Sequence, residues 1–559
     1  MLPWLFLASL VALGLGYRIY GSFLSRRFDL DDANPVPSET MRDGIDYVPT
    51  RAPVLFGHHF SSIAGAGPVV GPIIAGLAFG WLPAIIWIVI GSIFIGGVHD
   101  FSALVASIRH RARSIAEIAN IHMSRTGYLL FLVFIWLTLV YVLIVFLDLT
   151  STTFVGDGGV ATSSIAFIFL ALVLGVLLVR CRAPLGRTTA VFILFLLAAL
   201  WLGTRFPAAL PALGGDAKRS WDILLLVYCA LASVTPVWIL LQPRDYLSSF
   251  LLYGAILGGL VGILAGGATV TYPAFNGFET RIGPLFPILF VTIACGACSG
   301  FHSLVASGTS SKQLRRETDA RRIGYGAMIV EGVLGVIALA TVMMLDRSTG
   351  LADTQPTAVF AAGMGHFLSA LGVPGEMGAH FGFLALSTFL LTTLDSCTRI
   401  ARYIFQELTG LAGTSGRLAG TLVSLVLPAV FVFVTLKDPE GNPIPAWQAI
   451  WPVFGATNQL LAGLALVVVT LWLRQSGKRA LFAFLPMIFM VLMTLWAIAM
   501  FVFSGGTAPV VRVISVLLLV LAILLVVQAS RAFRKPAGPA PSPEDRPKPA
   551  PERGPTRVC

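Results

Sequence analysis

Three short stretches of this chain place reactive residue types inside otherwise apolar sequence. The first is Gly57-His58-His59-Phe60-Ser61-Ser62-Ile63-Ala64-Gly65-Ala66-Gly67-Pro68-Val69-Val70-Gly71-Pro72. Its last eight residues hold two prolines and three glycines, a combination that does not sustain a regular helix. A helix broken in a medium without water exposes N–H groups that attract an anion and carbonyls that attract a cation. His58, His59, Ser61, Gly65, Ala66 and Gly67 are therefore candidates to hold a charged solute, and the carbonyl of Ala64 to face a cation. The competing explanation is a Pro/Gly kink that serves packing alone.

The second stretch runs from Pro287 to Ser303, with small residues from Ala294 to Gly300 followed by Phe301-His302-Ser303. Read functionally, it is a second broken helix facing the first, with Gly296, Ser299, Gly300 and His302 completing the solute site. Read structurally, it is a small-residue packing face. The third is Leu391-Thr392-Thr393-Leu394-Asp395-Ser396. Its hydroxyls and carboxylate suit a small hard cation, making Thr392, Thr393, Asp395 and Ser396 ion-coupling candidates. The alternative is a helix end with Asp395 paired to Arg399 at i+4. Glu331, inside an apolar run, is a proton-relay candidate, because an ionisable group there is costly and usually functional. His99-Asp100 reads as structural, with Asp100 meeting Arg109 or Arg111; the alternative is a proton relay. Asn458-Gln459 and Ser233-Val234-Thr235-Pro236 read as packing features.

The absences narrow the chemistry. There is no GxxxxGK[ST] phosphate loop, no HExxH and no GxSxG nucleophile elbow. Cys295 and Cys298 form a CxxC, but no second pair stands at metal spacing. We expect no enzyme, no metal and no cofactor. An uphill carrier would draw on an ion gradient, H+ or Na+.

The elements that position these residues follow from composition. Of 559 residues, 56% are hydrophobic and 12% charged, half the roughly 25% of a soluble domain, and the mean hydropathy is +0.85. This excludes a soluble enzyme, a disordered chain and a disulfide scaffold. Apolar runs at 2–17, 55–78, 83–107, 128–148, 162–180, 188–206, 222–242, 247–270, 285–309, 323–345, 379–400, 417–436, 449–473, 480–503 and 509–530 predict about fifteen membrane helices. With the N-terminus outside and the C-terminus cytoplasmic, 31 of the 38 Lys and Arg fall on inside segments, as the positive-inside rule expects. Residues 1–54 form an N-terminal helix and cytoplasmic loop, 55–473 the core, 474–530 accessory helices, and 531–559 a Pro- and charge-rich disordered tail. A short helix is expected at 357–371.

Tyr47-Val48-Pro49-Thr50, Gly57-His58-His59-Phe60, Gly65-Ala66-Gly67-Pro68, Gly97-Val98-His99-Asp100-Phe101, Pro243-Arg244-Asp245-Tyr246-Leu247 and the run from Pro284 to Ser311 together resemble the carbon starvation protein (CstA) family. The resemblance implies a bacterial inner-membrane protein linked to nutrient limitation, of a kind described as peptide transporters and proton-coupled pyruvate carriers. It further implies a LeuT-like core of two inverted five-helix repeats, each with a broken helix, here near 64–72 and 294–300. Six spans separate 55–78 from 285–309 where the simple repeat has four. Two helices are inserted, or the second broken helix is instead 222–242. The function expected is an ion-coupled importer of small carboxylate nutrients (peptides, pyruvate), with no nucleic-acid partner. The alternative is a membrane starvation sensor signalling to a cytoplasmic partner. A metal-dependent membrane enzyme is a more distant rival.

Overall fold

Peptide groups in hydrocarbon must find partners within the protein, so each long apolar run of this chain winds into a helix. The computed structural model describes residues 1–534 apart from 44–45, 182, 237, 412, 438–440 and 505–508; the expected tail beyond 534 lies outside the described residues. Among the described residues, twelve helices are long and apolar enough to cross a membrane, or thirteen with the bent pair Ala52–Ile63 and Gly67–Phe79.

α1 (Leu2–Leu15) continues through a π-helical turn, Gly16–Tyr20, into α2 (Gly21–Arg27), and α3 (Pro37–Thr40) is one turn in the loop that follows. α4 (Ala52–Ile63) and α5 (Gly67–Phe79) are halves of one interrupted span. α6 (Trp81–Gly91) passes through a second π turn, Ser92–Gly96, into α7 (Gly97–Arg109). The short α8 (Ile115–His122) starts at a Ser114/Glu117 capping box, which satisfies two N–H groups reciprocally. Then come α9 (Arg125–Gly156), α10 (Gly158–Val179), α11 (Leu185–Arg205), α12 (Ala217–Val234) and α13 (Leu241–Ala265). α14 (Leu285–Thr292), α15 (Ala294–Ala297) and α16 (Gly300–Gly308) form the second interrupted element. A third π turn, Arg321–Tyr325, leads into α17 (Gly326–Met343). The chain ends with α18 (Pro356–Ser369), α19 (Gly375–Thr409), α20 (Gly413–Phe433), α21 (Ala446–Gln475), α22 (Leu481–Phe503) and α23 (Pro509–Arg534).

Each of the fifteen expected runs lies on one of these elements. The three beyond the twelve are the bent pair, the interrupted α14–α16, and α12, whose 18 residues include Lys218, Arg219 and Asp222. The short helix expected at 357–371 is α18.

Helix packing repeats across the two halves. α5 lies on α17 as α16 lies on α7; α4 on α13 as α14 on α21; α12 on α9 as α20 on α19; and α21 on α9 as α13 on α19, with α9 and α19 packed on each other. Five spans therefore recur, each set opened by an interrupted one. α10 and α11 pack mainly on each other and sit between α9 and α12 in sequence. They are the two inserted helices. The alternative break at Thr235-Pro236 falls beyond the end of α12 at Val234, not inside a span. With six spans between them, the two interrupted elements run in opposite directions.

Glycines let the interruptions touch. A Cβ on Gly71 would stand 2.5 Å from the Thr292 carbonyl oxygen, and one on Gly67 would collide with Cys295 Sγ. Gly71→Val should therefore destabilise the protein by about 1–3 kcal/mol, because the obstacle is backbone and cannot retreat. Gly14→Ala, with open space at that position, should cost nothing. Thermal unfolding of both purified variants in detergent checks the contrast.

Candidate functional site

The first interruption is Ala64–Ala66, where Ala64 leaves the helical region at φ −74°, ψ 68° and the axis turns by 48°. It is shorter than the expected 64–72, because α5 runs on through Pro68 and Pro72. The second lies at Ile293 and again at Cys298-Ser299, which are extended. Asn458 of α21 closes this second break. Its Oδ1 accepts the Phe301 N–H at 3.1 Å, and its side chain exchanges hydrogen bonds with Ser299 Oγ at 3.1–3.2 Å. Asn458 Nδ2 also reaches Cys295 Sγ at 3.1 Å. Asn458 thus does the helix–helix bonding expected of it, and it occupies a donor at the α16 N-terminus that sequence reasoning left for the solute.

The residues expected around the first break divide between two neighbourhoods. His59 Nδ1 is 2.7 Å from Ser310 Oγ, and its Nε2 has no partner among the described residues. His58, less deeply buried, faces Asp245 Oδ2 at 3.9 Å. Ser61 donates to the His58 carbonyl at 3.2 Å, so its hydroxyl is turned back onto its own helix. Ala64, Gly65, Ala66 and Gly67 are buried, so this conformation is closed over the break. Thr393 faces the break, since a Cβ on Gly65 would lie 2.7 Å from its Oγ1. Thr392 instead looks toward Ser248 on α13 at 3.4 Å. Both threonines donate to carbonyls four residues back, at 2.8 and 2.9 Å. Ser396 is buried beside them on α19.

Asp395 belongs to a second neighbourhood. It pairs with the fully buried Arg244 of α13 and accepts from Tyr228 Oη of α12 at 2.8 Å. Arg244 also donates to Tyr228 Oη at 2.7 Å and lies 3.4 Å from Asp245. The local pairing expected between Asp395 and Arg399 does not form. Arg399 instead donates to the Ala232 and Thr235 carbonyls at 2.7 and 2.6 Å, capping the end of α12. Sequence reasoning placed Arg244 in a loop between spans; α13 begins at Leu241 and carries it into the bundle. The visible signal was an adjacent Arg-Asp beside an apolar run, which is expensive unless paired.

A third group sits against the second break. Asp100 on α7 accepts from two imidazoles, His99 Nδ1 at its Oδ1 and His302 Nδ1 at its Oδ2, each at 2.7 Å. His302 Nε2 faces Glu331 Oε2 on α17 at 3.3 Å. All four side chains are buried. Contrary to expectation, Asp100 pairs with neither Arg109 nor Arg111. Asp100 lies more than two turns before the end of α7 and finds the histidines, whereas Arg109, at that end, reaches Glu317 at 2.8 Å. Glu317 also accepts from Asn34 Nδ2 and the Asp31 N–H at 2.7 and 3.0 Å. Burial pushes its carboxyl up, but these donors outweigh burial and hold it below the ordinary range.

Comparison with known proteins gives the following. The family model described as carbon starvation protein CstA matches residues 2–352 and 347–497. The peptide transporter CstA of Escherichia coli (strain K12) is 33% identical, covering 88% of this chain and 80% of its own length. The pyruvate/proton symporter BtsT of the same organism is 30% identical, covering 90% and 82%. A solved manganese transporter of Eremococcus coleocola superposes with a TM-score of 0.45 at 15% identity, over 88% of this chain and 99% of that one.

The Arg244–Asp395 pair generates a stability prediction. Arg244→Leu strands a buried carboxylate and should cost about 3–5 kcal/mol, whereas replacing both partners by apolar residues should recover most of that loss. Unfolding of Arg244→Leu, Asp395→Leu and the double variant measures the coupling; additive losses would show that the two side chains do not depend on each other.

Proposed function

We propose a function from one premise: this chain belongs to the carbon starvation protein CstA family. The reading is an ion-coupled secondary importer of small carboxylate nutrients, peptides or pyruvate, across a bacterial inner membrane, working by alternating access. One observation carries it: two opposed, interrupted helices meet inside a bundle of helices long enough to span a membrane. Irregular backbone at that depth is tolerated only where it is buried or lines a cavity, and in carriers built on inverted repeats such interruptions hold solutes and ions.

In this proposal the solute's carboxylate engages the peptide groups at Gly65–Gly67 and Gly296–Gly300, with His58, His59, Ser61, Ser299 and His302 around it. Asn458 must yield its bond to Phe301 N–H as the solute arrives, so it acts as an internal stand-in that keeps the empty site satisfied. The co-ion is a proton or a sodium ion. Thr392, Thr393 and Ser396, with the carbonyls around Ala64–Ala66, are the candidates for sodium, and Glu331, Asp395 or a histidine for a proton. No step of this cycle makes or breaks a covalent bond, and none calls for a cofactor. A potential of 100 mV supplies about 2.3 kcal/mol per charge moved, enough for modest accumulation with one or two co-ions. The lysine and arginine distribution supports an N-terminus outside and a C-terminus in the cytoplasm.

Uptake of labelled pyruvate and of labelled alanyl-alanine into proteoliposomes, under imposed proton or sodium gradients, tests the reading. Accumulation of one of them under one gradient is the expected result. Absence of both accumulation and exchange for both solutes discards the carrier. Removing residues 536–559 should leave uptake intact, whereas a sensor working through its tail would lose its signal with the same deletion.

A further inference from the structure

We propose that Asp100, His302 and Glu331 are the proton-coupling site of this carrier, a buried carboxylate–imidazole–carboxylate chain that gains and loses one proton per cycle. The proposal rests on the carrier reading above and identifies its co-ion and the side chains that hold it.

The geometry fixes the proton count. Asp100 has one imidazole nitrogen on each oxygen, both at 2.7 Å. An ionised carboxylate only accepts, so His99 and His302 each carry a proton on Nδ1. The remaining nitrogen of His302, Nε2, faces Glu331. Two arrangements share one proton there: an imidazolium beside an ionised Glu331, or a neutral imidazole beside a protonated one. Both leave the triad with a net charge of −1. One further proton, on whichever of His302 Nε2 and Glu331 lacks it, brings the triad to zero. Uncompensated charge in a dry site is costly, so the closed protein favours uptake, and release requires water or a rearranged partner.

The other titratable groups facing the triad are His99 on α7, His59 on α4, Cys295 on α15 and Cys298 beside the break. None of the four carries a permanent charge of the guanidinium kind. By contrast the other buried carboxylate proposed for coupling, Asp395, already faces the guanidinium of Arg244, which neutralises it and repels a second cation.

Placement joins the triad to the moving parts. Its members sit on three separate elements, α7, α16 and α17. His302 stands two residues beyond Gly300, on the half-helix whose start Asn458 closes. α7 and α17 each emerge from a π-helical turn, Ser92–Gly96 and Arg321–Tyr325. The two turns are joined by Tyr325 Oη donating to the Ile93 carbonyl at 3.0 Å. π turns recur where a helix must shift register at a working site. His302 is hydrogen-bonded to Asp100 on α7 and stands 3.3 Å from Glu331 on α17, so a proton gained or lost by the His302–Glu331 pair changes the charge where three elements meet.

The experiment compares net transport with exchange in proteoliposomes loaded with pyruvate, or with alanyl-alanine if that is the solute carried. In the unaltered protein a pH step of about one unit should support accumulation of roughly tenfold per proton. Glu331→Gln, unable to ionise, should lose this accumulation while still exchanging internal for external labelled solute, a process needing no net proton movement. Glu331→Asp, which keeps a titratable carboxyl, should regain accumulation. Asp100→Asn is assayed in the same way, so that one poorly folded variant does not decide the matter. Glu331→Gln and Asp100→Asn that both accumulate solute under the pH step as the unaltered protein does would overturn the proposal. So would accumulation by the unaltered protein under sodium alone, although the carrier reading would survive. An unaltered protein that neither accumulates nor exchanges removes the carrier reading itself.

Discussion

A peptide group left open in hydrocarbon has no water to turn to, and this constraint governs the centre of the molecule. The chain opens two helices and must then satisfy what it has opened. It does so in two ways. Glycines at 67 and 71 bring one interrupted element into direct contact with Cys295 and the Thr292 carbonyl of the other, excluding lipid. A side-chain amide, Asn458, covers the exposed start of α16. The surrounding helices are arranged by the same requirement. α9 and α19 pack on each other, while α17 and α7 pack on the two half-helices α5 and α16 in equivalent ways.

Buried charge is the second constraint, and it follows from the first. Once the backbone is interrupted, ionisable side chains near it sit in a medium where an unpaired ion is costly. The bundle distributes them into two groups that share no residue. Arg244 with Asp395, Asp245 and Tyr228 ties α12, α13 and α19 together. Asp100 with His99, His302 and Glu331 ties α7, α16 and α17. α4 passes between them, presenting His58 to the first group and His59 toward the second. The first group contains a permanent cation and the second does not. That difference in chemistry separates a fixed structural clamp from a site able to change its charge.

How much of this was legible beforehand depended on the range of the interaction. Apolar runs long enough to span a membrane are a local property, and the helices follow from them; the Gly/Pro cluster marks the first interruption only at its start, because α5 is helical from Gly67 on through Pro72, and the small-residue run from Ala294 to Gly300 marks the second. The insertion of α10 and α11 could be inferred by counting spans. Partners could not be. Reasoning along the chain offered Arg399, at i+4, to Asp395, and Arg109 or Arg111, at the nearby helix end, to Asp100. In the fold, Arg244 from 151 residues away and His302 from 202 residues away are better placed. The rotation of each helix about its axis, which decides these contacts, is set by packing that no single segment encodes. Arg244 was misplaced for a simpler reason. A polar Pro-Arg-Asp between two apolar runs resembles a loop until its neighbours neutralise it.

The position of His302 links the two constraints. Coupling between a proton and a solute requires that each change the affinity for the other, and that reciprocity is thermodynamic. Here both would act on one short half-helix. Its first N–H groups are shared between Asn458 and any incoming carboxylate, and its third residue is the imidazole between Asp100 and Glu331. A proton on the imidazole adds positive charge within a turn of those N–H groups, which strengthens their pull on an anion. An anion bound there in turn stabilises the imidazolium. On the proposed assignment the sign would be that of a symporter, with proton and solute carboxylate each favouring the other. It arises from the placement of one histidine beside one interruption, without a separate transmission pathway.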